Sequence, residues 1–546
     1  MGSMRSQRRP RLHSATTQIA GQPSKKVAAM FDSETPQPAV DQKARNQQTL
    51  WQVGIATLSF SILFVILLRT IADPDLWGHL RFGLDMVAAR AIITTDPYSY
   101  VTTEQIWINH EWLTEVLMAG AWLSAGSPGL VALRMTLIGI TLGLICFHLI
   151  SVLRVGFFPA LAVLLLTTMG ALPALGMVRP QLFTFLFFTI TLIVIYQAEY
   201  GRYRWLWLMP PVVVLWVNLH GGFLAGCGVF GLWATAHLVL HRNQWRAVAP
   251  PLLLSALATL ANPYGSGLIL FLLHTAVGAR PEISDWQPLN LVSWIGAVYL
   301  AIIAVAGATV TYSRRPRRVL LLSILGLTAL MPLLAARHLP LLALAFAVFV
   351  GEHVDSAWRR RRAAPIRHHT RPRWLLPVPF LAAAVIIVAG IMATRGQIEL
   401  VDEFPYPDAA VALLAASGVH GNLATDFNWG EYLIWQVGPE WQVSIDGRRE
   451  TVYAPETYEQ NLRLRFGLGT WDDLLIEHPT DAALLVRGSA ADNLLRQYPG
   501  WLLVYHDEIS VLFVNQQSPI AAPLQQIASD FKAPPPQKYF PDHRYK

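Results

Sequence analysis

Hydrophobic runs recur along residues 50–395, and most are long enough to form a helix that crosses a bilayer. The first covers residues 50–72, and the others fall near 128–150, 156–177, 181–199, 203–219, 222–241, 246–261, 291–311, 317–335, 339–354 and 374–394. Since about 20 apolar residues span the hydrocarbon core, the pattern predicts an all-α polytopic membrane domain over 50–395, with about eleven transmembrane helices.

The polar interruption at residues 73–127 is predicted to be the first extracytoplasmic loop. Two stretches within it, 76–89 and 111–123, are too polar to span a membrane. In the second stretch Trp112, Leu113, Val116 and Leu117 share one helical face. Such amphipathic segments are typical of helices that lie in the membrane interface.

The pattern changes after Arg395 to that of a soluble domain. Helices are predicted at 407–417 and 454–466, and strand-like runs cover 422–427, 442–445, 483–486, 502–505 and 509–514. The last two runs carry a hairpin signal. Strands alternating with helices predict a small α/β domain over 396–520, followed by a flexible tail at 521–546.

Composition and charge give this architecture an orientation. Of the residues 53% are hydrophobic and only 14% are charged, against about 25% charged in soluble domains. The net charge of +7 comes from basic clusters between the hydrophobic runs, as the positive-inside rule expects, and does not indicate nucleic acid binding. With eleven spans these clusters share one side. Residues 1–49 are therefore predicted to be a disordered cytoplasmic tail, and the α/β domain to be periplasmic, in a bacterial inner membrane.

Charged residues crowd the membrane boundary directly after the first run. Asp73, Asp75, His79 and Arg81 all lie in one short stretch. Charge at such a place is costly unless it is paired or used, which favours a functional site. The alternative is that an aspartate caps the next helix, with Pro74 in its first turn. Capping accounts for one aspartate but not for the whole cluster.

Other unusual polar residues fall on the same outer side under this topology. They come from distant points of the chain: His110, Glu111, Arg179, His220, Asp285, Arg337 and His338. Each has an ordinary explanation by itself, such as a snorkelling arginine or a hydrogen-bonded histidine at a bend. Their convergence predicts one polar pocket at the outer leaflet.

Such a pocket suits group transfer to a nucleophile at the membrane surface. A carboxylate can take the proton of an acceptor hydroxyl, and arginine and histidine can hold a phosphate leaving group. The sequence has no phosphate-cradling Gly-rich loop with lysine, no Gly-x-Ser-x-Gly elbow and no His-Glu-x-x-His zinc motif.

At these residues the chain resembles the GT-C superfamily of integral-membrane glycosyltransferases, over roughly residues 50–395. The motif that carries the resemblance is Asp73-Pro74-Asp75 after the first span, together with the interfacial helices and the trailing domain. Asp96-Pro97-Tyr98, His110-Glu111-Trp112 and Asp446-Gly447-Arg448 make the combination similar to a little-characterised bacterial branch. The superfamily includes protein mannosyltransferases, the lipid A aminoarabinose transferase and lipopolysaccharide-core transferases.

The resemblance implies an enzyme that moves one sugar from a polyprenyl-phosphate carrier, such as undecaprenyl phosphate, to a periplasmic or lipid-linked acceptor. The acceptor would be a lipid, a glycan or a protein. One of Asp73 and Asp75 would be the general base, and Arg179, Arg337 and His338 would hold the phosphate. The sugar or acceptor pocket would be lined by His79, Arg81, His110, Glu111 and His220.

Two points stay open at the level of the sequence. Single-sugar transferases of this superfamily generally need no metal, whereas its oligosaccharyltransferase branch does. Asp73, Asp75 and Glu111 offer oxygen ligands that suit Mg²⁺ or Mn²⁺. In the α/β domain, the stretches 426–432 and 444–448 end strand-like runs, and either bind an acceptor or form turns.

Three other functions compete with a single-sugar transferase. A lipid-linked glycan polymerase or ligase relies on a large late periplasmic loop, for which the loop at 278–291 is too short. A transporter predicts charge at mid-membrane and internal repeats, and the sequence shows neither. A non-catalytic scaffold would keep the fold without the chemistry.

Overall fold

The structure is a computed structural model that describes residues 67, 69–102, 105–275, 280, 283–361, 385, 388–390, 392 and 395–541. The predicted cytoplasmic tail, nearly all of the first predicted span and most of the last one lie outside the described residues. The described residues belong to one compact unit of the chain.

Two helices form in the first loop, where the sequence predicts them. They are α1 (Asp75–Ala89) and α2 (Trp112–Ala125), and they pack against each other. Pro74 precedes α1, and its fixed φ suits the start of a helix. On α2 the buried residues include Glu115, Met118 and Trp122, while Leu117 is exposed. Protein packing therefore uses a different face of α2 from the predicted apolar one.

Ten further helices are described in the membrane domain. They are α3 (Ser127–Phe147), α4 (Phe157–Leu175), α5 (Gln181–Glu199), α6 (Met209–Trp216), α7 (Phe223–Leu240), α8 (Trp245–Ala258), α9 (Ser266–Thr275), α10 (Trp294–Tyr312), α11 (Val319–Leu330) and α12 (Leu339–Arg361). Each predicted span between 128 and 354 coincides with one of them.

Six of these stretches are long and apolar enough to cross a membrane: Ser127–Val152, Phe157–Leu175, Gln181–Glu199, Phe223–Leu240, Trp294–Tyr312 and Ala336–Arg361. The protein is therefore a multi-pass membrane protein. The predicted spans at 203–219, 246–261 and 317–335 hold the shorter helices α6, α8 and α11. A 3-10 turn precedes α6 and α8, and another follows α11. The number eleven stays a prediction.

Helix α12 is the centre of the bundle and fixes one side of the site. Every residue from Leu339 to Asp355 is buried, and the helix packs on α4, α5, α10 and α11. At Gly170 of α4 an added Cβ would lie 2.9 Å from the Cβ of Ala343, so the absence of a side chain permits this close approach. Arg337 stands in the 3-10 turn that leads into α12.

The C-terminal region contains a five-stranded sheet, as the strand pattern predicts. Its strands are β1 (Gly421–Thr425), β2 (Trp441–Val443), β3 (Ala482–Val486), β4 (Trp501–His506) and β5 (Ser510–Asn515), in the order β2-β1-β3-β5-β4. β2, β1 and β3 are parallel, and β3, β5 and β4 are antiparallel. The predicted hairpin is the β4–β5 pair.

Helices connect and cover these strands. They are α13 (Asp408–Ser417), α14 (Gly430–Val437), α15 (Pro455–Phe466), α16 (Asp473–Glu477), α17 (Ala490–Leu495) and α18 (Ala521–Asp530). α13 and α15 match the predicted helices at 407–417 and 454–466. α14 lies between β1 and β2 and packs on α1 of the first loop.

The first loop and the sheet region share one hydrophobic core. The ring of Trp77 on α1 lies 4.9 Å from that of Tyr432 and 4.2 Å from that of Phe540, and Trp122 on α2 lies 5.9 Å from Trp435. Large buried aromatic rings contribute strongly to packing energy. This core holds the start of α1 against the C-terminal region.

The sequence predicts a flexible tail from residue 521, whereas the structure forms α18 and then an extended segment there. Phe540 is buried in the aromatic core, and its N–H donates to the carbonyl of Ile398 at 2.9 Å. The difference arises because one apolar ring late in a proline-rich segment finds a tertiary partner that local composition does not reveal.

Candidate active site

Asp73 and Asp75 stand close together in the chain but have different surroundings at the start of α1. Asp73 is fully buried. Its Oδ1 accepts the N–H of Leu76 at 3.0 Å, and its Oδ2 accepts from Nε of Arg179. Both oxygens are thus occupied, and Asp73 has the capping role that the sequence analysis offered as an alternative.

The side chain of Asp75 makes no hydrogen bond or ion pair with any residue that the structure describes. Its neighbour is Glu431, the second residue of α14. A Cβ added to Gly447 would lie 2.7 Å from Oδ1 of Asp75 and 2.6 Å from Oε1 of Glu431, so the two carboxyl groups meet over this glycine. Oε2 of Glu431 accepts the N–H of Gly78 at 3.1 Å. One carboxyl is anchored, and the other is free.

The environment changes the proton affinity of both carboxyl groups. Burial raises the pKa of Glu431 well above its ordinary value, and the charge of Asp75 raises it further. Burial also raises the pKa of Asp75, although His79 and Arg337 act in the opposite direction. Carboxyl groups whose pKa is raised by burial and by a neighbouring charge are candidates for acid–base chemistry.

Three histidines surround Glu111 beside this pair. The distances from its carboxylate oxygens are 3.4 Å to Nε2 of His220, 3.5 Å to Nε2 of His110 and 3.7 Å to Nε2 of His79. Burial alone would raise the pKa of Glu111, but the histidines and Arg337 together hold it below its ordinary value.

Two of the histidines hold opposite charge states. Burial disfavours the cation of His79, but its 3.2 Å contact with Glu115 and the charges of Glu111 and Glu431 raise its pKa to about 10. Burial lowers the pKa of His220 to about 4, against the charge of Glu111. Nδ1 of His220 accepts the N–H of Gly222 at 2.9 Å and contacts the Thr184 hydroxyl at 2.8 Å. The site thus combines an imidazolium with a neutral imidazole.

Arginines form the other side of the site. Arg179, which pairs with Asp73, also donates from Nη1 to Asp285 at 3.2 Å. The guanidinium of Arg337 lies 4.6 Å from the ring centroid of Trp286, and that of Arg280 lies 3.8 Å from it. Arg280 is paired with Glu450. The guanidinium of Arg337 makes no hydrogen bond or ion pair within the described part of the chain, and the charges of Asp285 and Glu111 act on it without direct contact.

A second charged cluster lies directly beneath the site. Nη1 of Arg448 donates to Asp96 at 2.7 Å, and its Nε and Nη2 donate to Asp446 at 2.9 and 2.7 Å. Tyr453 donates to Asp446 at 2.8 Å. This clamp joins the first loop to the Asp446-Gly447-Arg448 element and sets Gly447 beneath Asp75 and Glu431.

Two of the predicted binding residues are not joined to this cluster. Nε of Arg81 donates to Asp85 at 2.8 Å, and its Nη1 donates to the carbonyl of Gly438 at 3.1 Å. Arg81 thus connects α1 to the end of α14. His338 follows Arg337; its backbone N–H donates to the carbonyl of Ala335 at 3.1 Å, and its side chain makes no hydrogen bond or ion pair with the described residues. The other predicted residues come together: Asp75, His79, His110, Glu111, Arg179, His220 and Arg337, with Asp73 bound to Arg179.

The surroundings of the carboxylates suggested for Mg²⁺ or Mn²⁺ are as follows, and the metal requirement stays a prediction. Asp73 is occupied by Arg179 and the α1 backbone, and Glu111 faces three histidines. Within the described ranges, no group of three or more His, Cys, Asp or Glu side chains has the arrangement of a metal site.

Sequence reasoning did not assign Glu431 to this site. The signal available was its place in 426–432, at the end of a strand-like run, but nothing local connects that stretch to Asp75. Arg280 and Glu115 were missed for the same reason, since each reaches the cluster through tertiary packing.

No protein-family model and no curated protein matches the chain. Among solved structures, it is similar to ArnT from Cupriavidus metallidurans bound to undecaprenyl phosphate, at 12% identity and a TM-score of 0.46, over 86% of this chain and 99% of that one. It is also similar to the apo state of ArnT from the same organism, at 13% identity and a TM-score of 0.47, over 86% of this chain and 98% of that one. A third similar structure is the arabinofuranosyltransferase AftD from Mycobacteria, at 17% identity and a TM-score of 0.46, over 86% of this chain and 42% of that one. At these scores the likeness carries no argument about function, which depends on the side chains above.

Proposed function

We propose that this protein is a membrane glycosyltransferase of the GT-C type, which moves a sugar from a polyprenyl-phosphate carrier to a hydroxyl acceptor at the outer face of the membrane. Asp75 is the general base in this proposal. The observation that carries it is the half-buried carboxylate of Asp75, whose side chain has no hydrogen bond or ion pair to a described residue, beside the carboxyl group of Glu431 and near the guanidinium of Arg337, which has no ion pair there either.

Each bond change has a group to serve it. The acceptor oxygen attacks the anomeric carbon, and its proton passes to the carboxylate of Asp75. The bond between the anomeric carbon and the phosphate oxygen breaks, and the polyprenyl phosphate leaves with the electron pair. Because this is a direct displacement, the anomeric configuration inverts. A base of raised pKa suits the step, since proton transfer is most effective when its pKa is close to the working pH.

Asp75 is favoured over Asp73 because a base must be able to reach a ligand. Both oxygens of Asp73 already accept hydrogen bonds, whereas those of Asp75 accept none from described residues. In this proposal Glu431 is the carboxyl group that holds a proton, because burial and the charge of Asp75 raise its pKa well above the ordinary value. It thereby allows Asp75 to ionise beside it without a second negative charge.

Arg337 is the proposed partner of the leaving phosphate. A guanidinium offers paired donors that match phosphate oxygens, and that of Arg337 has no described counter-ion. Trp286 supports it from one side. Arg179 is a second arginine of the site, and it forms ion pairs with Asp73 and Asp285. The positive charge of His79 adds to the field over the site.

The test compares Asp75→Asn with Asp73→Asn in protein purified in lipid nanodiscs. Each is supplied with a panel of undecaprenyl-phosphate monosaccharides carrying a radiolabelled sugar, together with a lipid and glycan extract as acceptor. We expect Asp75→Asn to lower transfer by about 10²–10⁴-fold, the usual contribution of a general base, with an unchanged melting temperature. We expect Asp73→Asn to lower the melting temperature, because it weakens the Arg179 pair. Full transfer by Asp75→Asn would show that the base is misassigned.

A further inference from the structure

A cavity of about 290 Å³ opens in the C-terminal region, outside the cluster around Asp75. Residues that follow β1 and β3 line it, together with neighbouring side chains: Tyr406, Asp426, Asn428, Trp429, Arg465 and Arg487. Tyr406, Asp426 and Trp429 are buried and form its floor, while Asn428 and Arg487 are exposed at its rim. The volume is near the lower end of the about 300–1,000 Å³ that small-molecule pockets occupy.

The position of the cavity in the sheet is where α/β folds place ligands. The chain leaves β1 toward β2 on one side, and leaves β3 toward β4 and β5 on the other. The carboxyl ends of β1 and β3 therefore flank a topological switch point, and in open α/β sheets ligands bind in the crevice at that point. The cavity lies there.

The side chains of the cavity suit a neutral polyhydroxylated ligand. The buried carboxylate of Asp426 is paired with Arg465, with 3.1 Å between Oδ2 and Nε. Glu403, Glu508 and Arg487 also line the cavity, so three carboxylates stand against two guanidinium groups and the lining does not favour an anion. The loop after β1 has no Gly-rich phosphate cradle. Carboxylate, amide and guanidinium groups instead offer both acceptors and donors, and the rings of Tyr406 and Trp429 offer apolar faces.

The cavity is connected to the Asp75 cluster through one loop. Asp426, Asn428 and Trp429 line the cavity. Glu431, whose carboxyl group lies beside that of Asp75 at Gly447, follows two residues after Trp429 in α14. From the other side, the ring of Tyr406 lies 5.6 Å from that of Trp77, in the first turns of α1. A ligand in the cavity therefore contacts the residues that lead into α14 and a tyrosine that packs on α1.

We propose that this cavity binds a neutral sugar unit of the acceptor glycan and so presents the next hydroxyl to Asp75. The assignment of the sugar to an acceptor rests on the proposed glycosyltransferase function, whereas the binding itself does not. The acceptor is then a saccharide rather than a protein side chain or a bare lipid head group.

The experiment measures binding by saturation-transfer NMR on the full chain in nanodiscs. The probes are the methyl glycosides of glucose, galactose, mannose and N-acetylglucosamine, with inorganic phosphate as an anionic comparison. We expect at least one glycoside to bind with a millimolar Kd, and Asn428→Ala and Arg487→Ala each to weaken it at least fivefold. The control Arg496→Ala removes an exposed arginine that does not line the cavity and should leave binding unchanged.

The outcomes separate this proposal from the function of the Asp75 cluster. Asp75→Asn should abolish transfer and leave glycoside binding intact. If no glycoside binds, if phosphate binds instead, or if binding survives both substitutions at the rim, the sugar site is rejected even when transfer is normal. If binding behaves as expected but no carrier-linked sugar is transferred, the sugar site stands and the glycosyltransferase function is rejected.

Discussion

Two charged clusters meet at Gly447, and they differ in burial and in pairing: Asp96, Asp446 and Arg448 are buried, whereas Asp75 and Arg337 are half-buried. In the clamp of Asp96, Arg448 and Asp446, all three guanidinium nitrogens donate to a carboxylate, and three aromatic rings lie about the guanidinium. In the cluster above it, Asp75 and Arg337 have no such partner among the described residues. Buried ions cost several kcal/mol unless they are paired, so the clamp is suited to hold the fold and the upper cluster to meet a ligand.

The difference in pairing explains why the two clusters are neighbours. An unpaired carboxylate and an unpaired guanidinium destabilise a fold, and they persist only where the surroundings are fixed by other contacts. The clamp and the aromatic core provide those contacts, because they join the first loop to the C-terminal region around the site. The following predictions separate the two roles.

The largest expected effect comes from removing the shared cation of the clamp. Arg448→Met leaves Asp96 and Asp446 buried without a counter-charge, and we expect a loss of about 3–5 kcal/mol in the free energy of unfolding. Differential scanning fluorimetry in detergent measures it as a lower melting temperature. The control Arg69→Met breaks a pair with Glu399 that is exposed on both sides, and it should cost less than about 1 kcal/mol. A second change, Asp96→Asn, should recover part of the loss from Arg448→Met.

In the upper cluster, removing a cation should lower activity without lowering stability. Arg337→Met is expected to lower kcat/KM for a polyprenyl-phosphate sugar by about 10²–10³-fold, as for other lost donors to developing negative charge, and to leave the melting temperature unchanged or raise it. Arg360→Met, at the opposite end of α12, is the matched control for activity. A strong loss of stability in Arg337→Met would place that arginine with the clamp instead.

A smaller effect is expected at the glycine that the two clusters share. Gly447→Ala adds a Cβ at 2.6 Å from Glu431 and 2.7 Å from Asp75, and both carboxyl groups must move. A displacement of about 1 Å at reacting groups can lower the rate about 10²-fold, so we expect a fall of about 10–100-fold in kcat. Gly120→Ala on α2, where an added Cβ meets nothing within 4 Å, should be neutral. Equal activity in the two variants would contradict the proposed positions of the carboxyl groups.

The smallest effect concerns the pH dependence of stability. Because the pKa of Glu431 is raised in the folded state, the folded protein holds a proton that the unfolded chain releases, and stability falls as pH rises from the unfolded value toward the folded one. Each pH unit in that window removes about 1.4 kcal/mol. Glu431→Gln should therefore melt at a higher temperature than the native protein, by a margin that grows above about pH 5. The exposed Glu440→Gln is the control, and a constant margin would contradict the raised pKa.

The sequence predicts the individual elements of this protein well because they follow from local patterns. Helix spans, the first-loop helices and the β4–β5 hairpin all follow from hydrophobic period and length, which act over neighbouring residues. The positions of Arg179, His220 and Arg337 at one end of the bundle follow from the same spans, since a helix that crosses a membrane fixes which end each loop occupies.

Only the tertiary structure distinguishes Asp73 from Asp75 and brings in Glu431. The two aspartates have the same chemistry and nearly the same place in the chain, and their roles differ because Arg179 reaches one of them. Glu431 is far from both in sequence, and it arrives through the packing of α14 on α1. Local sequence sets which groups are present and on which side they lie, whereas pairing and burial depend on contacts between distant segments, and these decide which charges remain free for chemistry.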